Sequence, residues 1–211
     1  MANSNGAFGL RPIGVVGQAA NTTGATEYRI ASGNTNTIFQ GSPVIPLSTG
    51  FIDKVGAAAG GTVGLLGVFW GCEYVSSTTG EKIFSNNWPG SGADSNHPVK
   101  AFVYDNPLQS FVICSDASLT SAATAQGHVF ANANFADGAA GSSTTGISTA
   151  KLGVSTINTT ANLNLRIMGF QDDPENSDFT AAGIPVIVRL NNSFNSPNGA
   201  IAGGTVSTTG V

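Results

Sequence analysis

Hydrophobic positions recur along this chain every second residue or in short continuous runs, and seldom with the period of a helix. Leu163, Leu165 and Ile167 alternate with Asn164, Arg166 and Met168. That two-residue period is what a strand buried on one face requires. Val186, Val188 and Leu190, set against Ile187 and Arg189, supply its expected partner. Val63–Val75 is a longer apolar run and the strongest core candidate, with Gly64, Gly67 and Gly71 marking bulges or close backbone approach. Lys100–Asp105 alternates, Asp105-Asn106-Pro107 turns, and Leu108–Ser115 follows, so this pair reads as a hairpin.

Shorter runs precede these. Tyr28–Ala31 and Thr37–Gln40 flank the turn-forming SGNTN, and Phe51–Val55 follows a Thr-Gly turn. Pro43 and Pro46 confine the segment between them to an edge or an irregular strand. Ile147–Val154 is a weak strand, and Phe135–Thr145 reads as a Gly/Ala/Ser loop. One short helix is predicted from Ser118 or Thr120 to Gln126, with Ser118 as its N-cap and Gly127 just past its end. Many short strands and a single helix indicate an all-β fold, a β-barrel or β-sandwich.

The chain divides into an N-terminal segment (1–25), one β-rich domain (26–194) and a Gly/Ser/Thr/Asn tail (195–211). The first segment has no sustained period but carries isolated apolar anchors. It reads either as a first strand of the sheet or as an extended arm that docks on a neighbouring subunit. On the arm reading the docking residues are Phe8, Leu10, Arg11, Pro12 and Ile13.

Composition sharpens this picture. Charged residues make up only 9% of the 211, with 8 Lys plus Arg against 12 Asp plus Glu. An ordinary domain carries about a quarter. A chain that forgoes surface charge is suited to lie against something else. A net charge of −4 with scattered basic residues argues against a nucleic-acid footprint. The Val63–Val75 run is too short and too interrupted to span a bilayer, and the opening MANSNGAFGLRP lacks the basic and apolar regions of a secretory signal. Expression in a cytosol is therefore expected, with Cys72 and Cys114 as buried, reduced thiols.

No catalytic constellation is visible, and no cofactor is expected. His97 and His128 lack a ligand partner at helical spacing, and no nucleophile elbow or phosphate-binding loop occurs. Asp172, Asp173, Glu175 and Asp178 are the one acidic cluster. They lack the EF-hand pattern and read as a solvated turn rather than a Ca²⁺ site. Trp70, Tyr74, Phe84 and Trp88 offer a possible sugar platform. Core packing accounts for Trp70 and Phe84, which leaves Trp88 as the exposed ring.

Several stretches resemble one family, the small head proteins of tailed bacteriophages encoded near the major capsid protein. They are ANSNGAFGLRP with its Phe8–Pro12 core, YRIASGNTNTIFQGSPV (Tyr28–Val44), LLGVFWGCEYV (Leu65–Val75), FSNNWPG (Phe84–Gly90), VYDNP (Val103–Pro107), LNLRIMGF (Leu163–Phe170) and VIVRLNNSF (Val186–Phe194). The tail at 195–211 is an addition to the family's usual pattern. The resemblance implies a non-enzymatic virion protein, made in the host cytoplasm, that decorates and cements the capsid exterior. Its implied partners are the major capsid protein and copies of itself, with a trimer favoured. A tail or head–tail role and a carbohydrate-binding module are the alternatives.

Overall fold

The structure is a computed structural model that describes residues 3–15, 24–56, 64–195, 200–201 and 205–206. In chain order its elements are β1 (Arg11–Val15), β2 (Thr26–Ile30), β3 (Pro43–Pro46), β4 (Ile52–Lys54), β5 (Gly67–Val75), β6 (Lys82–Ser85), β7 (Val99–Tyr104) and β8 (Gln109–Cys114). Then come α1 (Ala122–Gly127), β9 (Asn132–Ala136), β10 (Gly141–Ser142), β11 (Ile147–Ser148), β12 (Lys151–Asn158), β13 (Leu165–Phe170) and β14 (Pro185–Leu190). The tail contributes a small pair, β15 (Ala200–Ile201) and β16 (Thr205–Val206); apart from Asn195 the rest of it, and 1–2 and 16–23 of the N-terminal segment, lie outside the described residues. The fold is all-β, as the alternation implies.

Two six-stranded antiparallel sheets hold the molecule together. The first runs β1-β8-β14-β13-β9-β12, and the second β2-β7-β5-β3-β4 with β6 paired to β5. Each curls around its own core. In the first, Ser115, just past β8, bridges to Leu152 of β12, and the Asp116 N–H donates to the Leu152 carbonyl at 3.0 Å. In the second, β4 returns towards β2, and Ile30 and Ile52 share one cluster.

The long apolar run is explained by its position between these cores. Leu65 and Val68 enter the first cluster; Leu66, Phe69 and Cys72 enter the second. Ile45 and Val44 of β3 divide in the same way. A strand buried on both faces carries no polar alternation, so its sequence reads as continuous. Gly67 permits the close approach this wall needs, because a Cβ there would run into the Tyr104 carbonyl of β7. The register shift between Phe69 and Gly71 is the bulge that the glycines signal.

The β13–β14 pairing follows the sequence reading, with Leu165 opposite Leu190 and Ile167 opposite Val188. The expected hairpin does not form. β7 and β8 are consecutive but lie in different sheets. Their burial differs accordingly: β7 alternates, whereas every residue of β8 is buried. Asp105 holds the corner between them, accepting from Thr26 Oγ1 at 2.8 Å and from Tyr28 Oη at 2.7 Å. The helix is also shifted. Ser121 is its N-cap and Gly127 its last residue. Ser118 instead closes a local turn, accepting from the Thr120 N–H at 2.9 Å and donating to the Phe179 carbonyl.

Candidate interaction surface

The sequence-derived docking residues are placed unevenly. Leu10 is 0% exposed and belongs to the first core, and its N–H donates to the Gly41 carbonyl at 2.9 Å. It is therefore not available to a neighbouring subunit. Residues 11–15 are the edge strand β1, paired with β8, so here the first-strand reading describes the segment and the arm reading is corrected. Upstream, Asn5 donates its N–H to Asn176 Oδ1 at 2.8 Å, and Asn3 donates through Nδ2 to the Asp178 and Ala182 carbonyls. Such short-side-chain amides tie down a segment whose own apolar content is too small to order it. Phe8 and Pro12 are half-buried, and the Arg11 guanidinium lies 4.5 Å above the Phe8 ring. Ile13 sits on a bulge between Pro12 and Gly14 and is 48% exposed.

Beside this edge, the first sheet carries a row of polar residues that sequence reasoning did not single out. Gly14 pairs with Ser110, Ser110 with Arg189, Arg189 with Arg166, Arg166 with Asn132, and Asn132 with Asn158. Residues opposite one another across a ladder point to the same face. Their chain neighbours Phe111, Val188, Leu165 and Ala133 fill the core, so the row lies on the outer face. Arg166 Nε donates to Asn132 Oδ1 at 3.1 Å, and Asn132 Nδ2 is fixed on the Thr160 carbonyl at 3.0 Å. Arg189 Nε is buried without an acceptor. The signal was present in the alternation itself: once Leu165 and Leu190 are set in register, the two arginines must face each other.

Charge is divided unequally between the sheets. The strands of the first hold Arg11, Lys151, Arg166 and Arg189 and contain no Asp or Glu. Those of the second hold Glu27, Asp53 and Glu73 beside their basic residues. There Lys82 pairs with Glu73 at 2.7 Å and Lys100 with Glu27 at 3.2 Å. Among the described residues, which include every Asp and Glu of the chain, none lies within ion-pair distance of Arg166 or Arg189.

The other sequence candidates are not drawn together. Trp88 is fully buried at 0% exposure, with Nε1 donating to the Asn34 carbonyl and its ring edge-on to Tyr74 at 5.4 Å. Phe84 is 70% exposed, the reverse of the expectation for these two. Trp70 packs edge-on to Tyr104, so no shared sugar platform exists. The reason is register: on β6, Phe84 lies opposite Glu73, on the outward face, whereas Trp88 bridges back to Ile38.

Asp173 caps a 3₁₀ turn (Pro174–Asn176), accepting from the Glu175 N–H and from Asn176 Nδ2. Asp178 accepts from the Thr180 hydroxyl and N–H, which holds its carboxyl below the ordinary range. Buried Asn176 meets the N-terminal segment, so this turn also anchors residues 3–5. No group of three or more His, Cys, Asp or Glu among the described residues is arranged to hold a metal ion. His97 contacts Asp94 at 2.9 Å, and His128 closes α1. Burial pushes the Cys72 thiol up to about 12; it pushes Cys114 up to about 11 despite the opposing charges of Arg11 and Lys151.

No family model, curated protein or solved structure matches this chain.

Proposed function

We propose that the chain is a non-enzymatic structural protein of a tailed-phage head, which binds the outer surface of the capsid and stabilises it. The observation that carries this reading is the one-sided charge of the first sheet: among the described residues its strands hold four cations, none in an ion pair with an Asp or Glu, in a chain that otherwise has few charges. A fold gains nothing from arginines set opposite each other, whereas a docking face does. The resemblance of segments at both ends and in the middle of the chain supports the same assignment. The major capsid protein is the partner, and the resemblance favours a trimer of this chain on the shell. Burial of Trp88 removes the support for a sugar-binding role.

Co-expression with the major capsid protein of the phage that carries this gene tests the proposal. Purified shells are expected to carry the chain stoichiometrically, with cryo-EM density on the exterior. Shells that sediment without it, or density confined to a tail or portal vertex, overturn the assignment.

A further inference from the structure

We propose that Arg166 and Arg189 form a site for a carboxylate supplied by a partner protein, an Asp or Glu side chain on the surface that this chain covers. Two cations directly opposite on a sheet repel each other, and a sequence selected only for folding would place a carboxylate beside them. The second sheet does so: Arg29 lies opposite Lys100, and Glu27 neutralises Lys100 at 3.2 Å. The first sheet lacks any equivalent, although every Asp and Glu of the chain is among the described residues.

The pair is also preset. Asn132, only 4% exposed and anchored on the Thr160 carbonyl, takes Arg166 Nε and so fixes that guanidinium on the row. Arg189 Nε is buried and has no acceptor, so an incoming group meets only the terminal nitrogens of this half-buried side chain. Guanidinium forks match planar carboxylates in two-point geometry. Phosphate chemistry is disfavoured by the surroundings. Only two basic residues meet here in register, whereas a nucleic-acid footprint needs many clustered Lys and Arg.

The identity of the partner rests on the capsid reading, but the chemistry of the site does not, so two arms keep them apart. In the first, the full-length protein is titrated at low salt into fluorescently labelled hexaglutamate and, separately, a labelled six-nucleotide single strand. Hexaglutamate is expected to bind. Arg166→Gln and Arg189→Gln are expected to weaken that binding at least tenfold, and Arg29→Gln to leave it within twofold. Both site variants should melt no lower than the parent, since each removes one of two opposed charges.

Absent peptide binding, equal binding by the Gln variants, or equal or tighter binding of the oligonucleotide overturns the proposal. So does a melting temperature lowered by several degrees, which would mark the arginines as structural. In the second arm the same variants are offered to capsid shells. If the parent does not bind shells, the capsid reading fails. If it binds them and both Gln variants bind equally, the carboxylate site fails as a docking contact.

Discussion

In the second sheet, Lys100 and Lys82 each reach a glutamate on a neighbouring strand. In the first, Arg166 and Arg189 stand side by side, and among the described residues neither reaches a carboxylate; Arg166 Nε donates to an asparagine instead. Both sheets curl around apolar clusters, and both contain one like-charged pair in register, Arg29 with Lys100 and Arg189 with Arg166. The difference lies in what was placed beside the pair. A charge matched inside the chain is part of the fold's own accounting. On the proposal above, the unmatched pair is what a partner's carboxylate would meet. Exposed pairs contribute little to stability in either case, so the contrast concerns binding more than folding.

The largest expected effect tests whether the two sheets are one unit or two. Because β3 and β5 line both cores, the halves should unfold together. Phe111→Ala in the first core and Trp88→Ala in the second should each cost about 3–5 kcal/mol. Either should lower the denaturant midpoint of the whole molecule. Coincident transitions by tryptophan fluorescence, which reports Trp70 and Trp88, and by far-UV circular dichroism are expected; separated transitions would break the shared-wall picture.

Next in size is the N-terminal segment. Leu10→Ala should cost about 2–5 kcal/mol by removing a fully buried side chain. Deleting residues 2–16 should destabilise or unfold the protein in a thermal melt. A truncated chain that melts like the parent would restore the detachable-arm reading.

A smaller effect follows from the thiols, one in each half. In the unfolded chain a thiol titrates near about 8.5. Folded Cys72 and Cys114 are pushed up to about 12 and about 11, because burial disfavours the thiolate. The folded values are the higher ones, so this contribution is fully present below about pH 8.5 and is lost as pH rises towards the folded values. Chemical denaturation between pH 8 and pH 10 should show stability falling, with a shallower fall in Cys72→Ala. An identical slope in that variant would show that Cys72 titrates normally.

The smallest effects separate the charges of the two sheets directly. Glu73→Gln should cost 0–1 kcal/mol, about the value of a single exposed ion pair. Arg166→Gln should be neutral or stabilising by up to about 1 kcal/mol, the scale of a like-charged cross-strand contact. Equilibrium unfolding of both at low and high salt checks the signs, and a clear loss of stability in Arg166→Gln would erase the contrast.

Much of this architecture was legible in the chain. Strand alternation at 163–167 and 186–190 named the pair and the faces its residues turn to the core; the register itself, Leu165 opposite Leu190, came from the structure. The Val63–Val75 run announced a buried strand, though not that it would serve two cores. What escaped was long-range. Asp105-Asn106-Pro107 looks the same whether it reverses a strand or turns a corner, and only the all-buried character of β8 distinguishes the two. Trp88 and Phe84 exchanged places because an isolated bridge to Ile38, fifty residues away in the chain, decides which ring points inward. The arginine row is similar: each member is an ordinary outward residue of its strand, and only pairing across the whole sheet makes a site.

The anchoring of Asn3 and Asn5 sets a timetable for the chain's birth. Asn5 meets Asn176 across a separation of 171 residues. At about 5–20 residues per second, a ribosome takes roughly ten to thirty seconds to supply that partner. Until then β1 has left the exit tunnel with nothing beneath its first residues, and Leu10 waits for a core completed by β13 and β14. Non-local strand pairing of this kind is slow in any case, on a scale of milliseconds to seconds. The outer arginines come together over the same final stretch, since Arg189 is among the last residues to enter a sheet. A nascent or truncated copy therefore presents no assembled row, and the proposed carboxylate site exists only in a finished chain.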